Sequence, residues 1–169
     1  NTRKGALRVL SATIRAVKSF ALNKPSSQNV AIYHLSAQPL ARSANRSAIA
    51  AAAYRSGTKI VDHQTGVVHD YSPRQKKSVL HAELILPGGQ RVARDEFWNS
   101  LELHHKRKDA VLAREVEVSL PHELNAEQRK ELALAFALQL SIAYGVAADV
   151  ALHAPNRITD ADLKRNPQQ

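Results

Sequence analysis

The sequence predicts an α+β fold, with helices packed on a largely antiparallel central β-sheet. Three observations predict it. Strand-like and helix-like segments follow one another in the order β, α, hairpin, β, α, β, α, β, without an internal repeat. The strand-like segments alternate polar and apolar residues, as antiparallel sheets with one covered face do. The chain has 169 residues, 44% of them hydrophobic, which suffices for one domain with a core.

The first half of this pattern runs from a strand to a hairpin. "VAIYHLSA" (30–37) predicts a strand, and "QPLARSANR" predicts a loop after it. Ser43 or Asn45 can cap the next helix, which we expect to continue to about Ser56 and to stop at Gly57. "TKIVDHQTGVVHDYS" predicts a hairpin that turns at "HQTG".

The second half alternates strands with helices. "RDEFWNSLELHHKRK" (94–108) predicts a helix whose inward face carries Phe97, Trp98 and Leu101. The predicted strands are "SVLHAELILP" (78–87), "AREVEVSLP" (113–121) and "AADVALH" (147–153).

A long helix is predicted over residues 125–145. Asn125 and Gln128 have the spacing of a capping box at its start, and Gly145 is the residue type that ends helices. The polar stretch after residue 153 predicts a loop or a short helix.

Residues 1–29 stand apart from this pattern. They carry apolar residues near helical spacing and then the linker-like stretch "NKPSSQN". We interpret them as a basic N-terminal arm or helix; the alternative is translated upstream sequence, with the domain proper beginning at Val30. We therefore expect the folded domain over residues 30–169, incomplete at its C-terminal end.

The charge is unevenly distributed along the chain. The net charge is +9, and residues 1–61 contain ten Lys or Arg and no acidic residue. Such a basic segment indicates a polyanionic partner, nucleic acid before an anionic membrane, although a solvated basic face has the same composition. Cysteine is absent, which excludes disulfides and thiolate chemistry and fits a reducing, cytoplasmic location. No run of 18 apolar residues predicts a membrane span.

The polar positions of the strands carry histidine and carboxylates. Strand periodicity places Glu115 and Glu117 on one face, and Asp149 and His153 on one face of the last strand. A solvated sheet face explains this pattern. The other explanation is a site for a hard cation, formed by His153 with Glu115 or Asp149 on neighbouring strands.

Several of these segments together resemble a known family. "AIYHLSAQPLARSANRSAIAAAAYRSGTKIVDHQTGVVHDYSPR", "VLHAELILP", "FWNSLELHHKRKDAVLAREVEVSLPHEL" and "VAADVALHAPN" stand in the order and spacing of MobA/MobL-type plasmid relaxases, a group that includes TraA-like conjugation proteins. The resemblance covers about residues 30–157.

The resemblance implies a fold, an activity and a site. The fold is HUH-relaxase-like, and such proteins nick one DNA strand at a plasmid origin of transfer, where other conjugation proteins assemble. A tyrosine attacks the scissile phosphate and stays joined to the 5′ end, and that position matches Tyr54. His153 matches the first of three metal-binding histidines, and Glu115 matches an acidic position.

The sequence departs from the family at the metal site. The other two family histidines form a His-x-His pair, and no such pair occurs in this chain. We therefore expect a divalent ion, Mn²⁺ or Mg²⁺, to be held weakly by this chain, with further ligands beyond its end. If another histidine binds the ion, His34 and His81 are the alternatives.

Tyr54 stands in "ANRSAIAAAAYRSGTK", among small residues and cations. Cations beside a phenol favour its ionised, nucleophilic form, and Arg46, Arg55 and Lys59 are near in sequence. Glu115 or Glu117 could orient a metal-bound histidine, or Glu115 could touch the tyrosine hydroxyl. Without the resemblance, an alanine-rich packing helix with an incidental tyrosine explains the stretch.

We expect single-stranded DNA to bind through its backbone, because aromatic residues make up only 5% of the chain. Arg42, Arg46, Arg55 and Lys59 are the predicted contacts, and "SPRQKKS" is a second basic segment, more simply explained as a solvated loop. One alternative function is a non-catalytic module that binds single-stranded DNA, or a truncated accessory piece of a transfer complex. Another is a replication initiator with the same chemistry, although the order of the motifs favours mobilisation.

Overall fold

The computed structural model describes residues 9–16, 35–42, 47–75, 78–121 and 123–154, and for residues 9–16, 74 and 75 it describes the backbone alone. The strands are, in chain order, β1 (Val9–Ala16), β2 (Leu35–Ala41), β3 (Lys59–Val61), β4 (Val68–Asp70), β5 (Val79–Ile85), β6 (Val111–Leu120) and β7 (Ala147–His153). The helices are α1 (Ala48–Ser56), α2 (Ser72–Gln75), α3 (Arg94–His104) and α4 (Ala126–Tyr144), and a 3₁₀ turn spans Pro87–Gly89.

Five strands form one sheet in the order β2-β6-β1-β7-β5, and β3 pairs with β4 in a separate hairpin. Strand β1 runs parallel to both β6 and β7, whereas the outer strands β2 and β5 run antiparallel to their neighbours. With the antiparallel hairpin, three of the five described strand pairs are antiparallel. The predicted α+β class is therefore the observed one, with a parallel centre.

The central strand comes from the segment that we predicted to be an arm or helix. Residues Val9–Ala16 form β1, so the prediction was wrong there, and these residues belong to the same folded unit as the rest. In "VLSATIRA" the apolar residues also recur at every second position, and β-branched residues are frequent. The apolar residues of this segment therefore fit both a helical and a strand periodicity, and hydrogen bonding to β6 on one side and β7 on the other favours the strand.

Helices cover both faces of the sheet. On one face, Leu120, Val150 and Leu152 pack against Ala133 and Ala137 of α4.

The opposite face carries α1 and α3. There Ala147 of β7 and Leu112 of β6 share a buried cluster with Ile49 of α1 and with Trp98 and Leu101 of α3. Phe97, Trp98 and Leu101 are buried, as predicted.

Local signals set most helix ends. The Ser47 side chain accepts a hydrogen bond from the Ala50 N–H (3.1 Å) at the start of α1, and Gly57 ends the helix at φ 63°. Gly57 was predicted, but the predicted cap was wrong: Ser47 caps the helix, and Ser43 and Asn45 precede it, outside the described residues. Asn125 and Gln128 form the predicted capping box of α4, which ends at Gly145.

Two predicted boundaries were wrong. Strand β2 continues to Ala41 through the expected loop, and residues 30–34 of the expected strand lie outside the described residues. Pro39 fits there because β2 is an edge strand. Helix α3 ends at His104 instead of residue 108, because the backbone leaves the helical conformation at His105 (φ −100°, ψ 77°).

Candidate active site

Tyr54 lies on the last turn of α1 and keeps 41% of its surface exposed. The helix packs on the sheet face to which Ala147 of β7 belongs. Asp149 and His153 follow Ala147 on the same strand at even spacing, so they share that face. Glu115 of β6 reaches α1 directly through Arg55. The tyrosine helix therefore covers the polar side of two strands.

An ion pair holds the C-terminal end of α1 on β6. Arg55 Nε donates to Glu115 Oε1 (3.0 Å), and Arg55 Nη2 lies 2.7 Å from Glu115 Oε2. The guanidinium and carboxylate thus meet in the two-point geometry that fixes orientation as well as distance. Because Arg55 follows Tyr54 in sequence, this pair also fixes the backbone that carries the tyrosine.

A second carboxylate holds the N-terminal end of α1. Glu102 of α3 accepts a hydrogen bond from the Ala48 N–H (3.2 Å), where a negative charge complements the helix dipole. Arg42 pairs with the same carboxylate, and its Nη2 donates to the Glu102 carbonyl oxygen (2.6 Å). The orientation of α1 is therefore determined at both ends by charged groups.

A buried network that we did not predict connects α3 to the sheet. Asp149 accepts hydrogen bonds from Arg94 Nε (3.0 Å) and from Trp98 Nε1 (2.8 Å). Burial raises the pKa of Asp149, and the charge of Arg94 and the Trp98 N–H partly offset this effect. Two features of the sequence could have indicated this network. Asp149 is an acidic residue inside the apolar stretch "AADVALH", where a buried charge needs a partner, and Arg94 and Trp98 are one helical turn apart and so can reach the same group.

The sheet register separates His153 from the carboxylates proposed to join it. Ser11 of β1 is the Cα partner of both Glu115 and Asp149, whereas Arg15 is the partner of His153. Glu115 and His153 are thus two strands and four residues apart, roughly 16 Å between Cα atoms, and Asp149 is roughly 13 Å from His153 along its strand.

These separations are too long for a shared ion or a direct hydrogen bond. The expectation that Glu115 orients the His153 ring, and that either carboxylate completes a cation site with it, was therefore wrong. Glu115 instead binds Arg55.

The described side chains do not form a complete metal site. No group of three His, Asp or Glu among them is arranged to hold an ion. His153 is buried at the end of β7. His81 pairs with Glu83 (3.0 Å) on the opposite face, since Glu83 is the register partner of Val150, which packs against α4. His34 lies outside the described residues.

The residues predicted to contact DNA have different positions. Arg55 is only 6% exposed, so the expectation that it contacts DNA directly was wrong, whereas Arg42 pairs with Glu102 and keeps 28% of its side chain exposed. Lys59 is exposed at the start of β3. Arg46 and the side chains of Arg74, Lys76 and Lys77 lie outside what the structure describes.

A basic turn that we did not single out lies between α3 and β6. The stretch "HHKRK" (104–108) begins at the last residue of α3, and Lys106, Arg107 and Lys108 are exposed. Arg107 pairs with Asp109 (2.7 Å). The Arg42 N–H donates to the Ala110 carbonyl oxygen (3.1 Å), which places this turn next to Arg42, and Arg42 pairs with the Glu102 carboxylate that binds the start of α1.

Most of the chain matches one known protein family. The model of the MobA/MobL family matches residues 46–168. The chain belongs to the MobA/MobL family. The matched family region includes α1 with Tyr54, the carboxylates of Glu102, Glu115 and Asp149, and His153.

Curated relatives carry names from mobilisation and conjugation. A mobilisation protein MobL of Acidithiobacillus ferridurans is 62% identical over 140 residues, covering 83% of this chain and 36% of the relative. A conjugal transfer protein TraA of Rhizobium radiobacter is 34% identical over 137 residues, covering 73% and 12%. This family member thus spans about a third of the MobL relative and about an eighth of TraA.

A solved structure confirms the predicted fold class. It comes from work on the molecular basis of vancomycin resistance transfer in Staphylococcus aureus. It superposes with a TM-score of 0.60 at 31% identity, covering 66% of this family member and 57% of that chain.

The described part of the chain contains no helix with the length and apolarity needed to cross a membrane.

Proposed function

We propose that this chain forms part of a DNA relaxase that nicks one strand at an origin of transfer. One observation carries the proposal: a partly exposed tyrosine stands on a helix whose two ends are held by buried or half-buried charges. A nucleophile needs an open approach and a fixed position, and α1 provides both. Plasmid DNA as the substrate implies action in the cytoplasm, alongside other conjugation proteins.

The proposed chemical step is a transesterification. The Tyr54 hydroxyl oxygen attacks the scissile phosphorus, so a phosphotyrosyl bond to the 5′ side forms while the bond to the 3′ oxygen breaks. The phenol proton leaves to a base, and the departing 3′ oxygen gains a proton. One phosphodiester replaces another, so the strand can later be rejoined by the reverse reaction without an external energy source.

Single-stranded DNA is the proposed partner. Lys59 and the basic turn provide exposed cations on the described surface. Such contacts position the DNA backbone without reading its sequence. Arg42 and Arg46 stay proposed contacts, whereas the buried Arg55 acts through its ion pair with Glu115.

A divalent ion, Mn²⁺ or Mg²⁺, remains part of the proposal, with His153 as one ligand. The described residues do not supply the roughly three ligands of a catalytic site, so we assign no step to the ion. Calorimetric titration of Mn²⁺ should show weak binding by the 169-residue chain, lost in His153→Ala. Tight binding that survives this substitution would place the ion elsewhere.

The test of the proposed function is covalent capture. The protein encoded by the complete gene is incubated with labelled single-stranded DNA from its origin region, and denaturing gels detect the protein–DNA adduct. Tyr54→Phe removes one hydroxyl, so adduct formation should stop while DNA affinity stays within about twofold of wild type. Tyr144→Phe, on the opposite side of the sheet, is the control and should retain the adduct. An adduct in Tyr54→Phe would refute the assignment.

A second candidate is a module that binds single-stranded DNA without cutting it. The lack of a three-ligand group among the described residues favours it for this chain. It predicts salt-dependent binding with no adduct even in the unsubstituted protein from the complete gene.

A further inference from the structure

Tyr71 contacts the ring of Tyr54. The two ring centroids are 5.3 Å apart, and the ring planes are at 87°. This is the edge-to-face arrangement that aromatic pairs favour, because the positive edge of one ring meets the negative face of the other. Tyr71 is the first residue after β4, and one side of it also packs against the core cluster between α1, α3 and the sheet.

The backbone fixes Tyr71 relative to α1. Its N–H donates to the Thr58 carbonyl oxygen (3.1 Å), four residues after Tyr54. Between them, Gly57 turns the chain in the left-handed conformation (φ 63°), so the hairpin begins immediately after the helix. The two tyrosines therefore meet across the junction between α1 and the hairpin.

Asn99 of α3 fixes the hairpin itself. Its Nδ2 donates to the Val61 carbonyl oxygen (2.9 Å), and its Oδ1 accepts from the His63 N–H (2.8 Å). Ile60 inserts into the core with 2% of its surface exposed. The Asn99 side chain thus binds backbone groups of the hairpin to α3, and this fixes the position of Tyr71 at the end of the hairpin.

This contact limits where the Tyr54 hydroxyl can be. A tyrosine on a helix has two accessible χ1 orientations, and an exposed one exchanges between them. A neighbouring ring at a fixed position favours the orientation in which the rings touch. The hydroxyl oxygen, at the far end of the ring, is thereby confined as well.

We propose that Tyr71 is a positioning residue for Tyr54. This inference rests on the proposed function, because it assigns a purpose to the contact only if Tyr54 is the nucleophile. Tyr71 takes no part in bond formation; its ring keeps the Tyr54 hydroxyl in the approach to phosphorus. Because the aromatic ring of Tyr71, and not its hydroxyl, makes the contact, phenylalanine at position 71 can replace tyrosine, whereas leucine cannot.

The kinetic test compares Tyr71→Leu and Tyr71→Phe with a control, Tyr144→Leu, in the protein from the complete gene. Single-turnover adduct formation is measured at saturating DNA, together with the DNA dissociation constant. Tyr71→Leu should slow adduct formation between about 10-fold and 100-fold, the cost of a small misplacement of a reacting group. DNA affinity should be unchanged, Tyr71→Phe should recover the rate to within about threefold, and Tyr144→Leu should match wild type.

Three kinetic results would overturn the proposal. They are a wild-type rate in Tyr71→Leu, a loss in Tyr71→Phe equal to that in Tyr71→Leu, or a loss that lies entirely in DNA affinity.

A measurement without DNA separates this inference from the proposed function. In the unsubstituted chain labelled at its four tyrosines, nuclear Overhauser effects should connect the Tyr54 and Tyr71 ring protons, with Tyr54→Phe assigning the signals. Absence of these effects would refute the positioning role, and this test needs no variant at position 71. If Tyr54→Phe still forms the adduct while the rings are in contact, the proposed function fails and the ring contact stands.

Discussion

The two faces of the central sheet are built from different interactions. On the α4 face, small and aliphatic residues meet: Ala133 and Ala137 of the helix lie on Val150 and Leu152 of β7. On the α1–α3 face, apolar packing is combined with buried or half-buried charges. Arg55 meets Glu115, Arg94 and Trp98 meet Asp149, and Glu102 meets Arg42 and the start of α1.

The difference shows which face needs a unique geometry. Apolar packing stabilises in proportion to the area buried and tolerates small shifts. Buried ion pairs add little net stability, since desolvation offsets their attraction, but each is satisfied in only one arrangement. The charges lie around the helix that carries Tyr54, so we interpret them as the means by which that residue is positioned.

Strand β1 supports both faces, and breaking it should have the largest effect. Ala12→Pro removes a ladder hydrogen-bond donor from a strand paired on both sides, and a chain that starts at residue 30 lacks the strand. Both should lose cooperative thermal unfolding, measured by circular dichroism. Unfolding as in the full chain would show that residues 9–16 are an appended arm after all.

On the α1–α3 face, Asp149→Asn should be the most costly single change. It leaves the half-buried Arg94 guanidinium without a carboxylate, at a cost of about 3–5 kcal/mol in the free energy of unfolding. Urea denaturation measures this cost. Asp109→Asn breaks the exposed pair with Arg107 and is the control, for which no measurable change is expected. If both substitutions lowered the free energy of unfolding equally, the distinction between the buried Asp149 pair and the exposed Asp109 pair would be wrong.

On the α4 face, Ala137→Leu should lower the free energy of unfolding by less than Asp149→Asn, because it leaves no charged group without its partner. Ala137 is fully buried against β7, so three additional carbons must displace neighbours, at about 1–3 kcal/mol. The same substitution at Ala135, which is exposed on the same helix, should be nearly neutral in urea denaturation. A larger loss than in Asp149→Asn would contradict the ranking of the two faces.

The smallest expected effect concerns DNA affinity. Lys106→Ala with Lys108→Ala removes two exposed cations from the basic turn between α3 and β6. The slope of log affinity for single-stranded DNA against log salt should fall by about 1.4, or 0.7 per lost contact. Arg129→Ala with Lys130→Ala removes two cations from α4 and should leave the slope unchanged. The opposite result would place the DNA on the α4 face.

Local signals were sufficient for much of this fold. Gly57, Gly145 and the Asn125 capping box marked helix ends because those residue types satisfy backbone groups within a few residues. Strand β1 was missed because its apolar residues fit two periods, and only pairing with β6 and β7 distinguishes them.

The site was less predictable, since its contacts are long-range. Nothing near Arg55 in sequence indicates Glu115, 60 residues away, as its partner. A surface role for that arginine was therefore the natural and incorrect prediction. In the same way, strand alternation placed Asp149 and His153 on one face but carried no information on their spacing relative to Glu115.

The most direct test of the central claim is to locate the DNA on the protein. After reaction with origin DNA, nuclease trimming and trypsin should leave a nucleotide on the peptide Ser47–Arg55, which Arg46 and Arg55 delimit and which contains one tyrosine. We predict that mass spectrometry finds the added nucleotide on this peptide, with fragmentation assigning it to Tyr54. A nucleotide on a peptide that contains Tyr33, Tyr71 or Tyr144 instead would contradict the account.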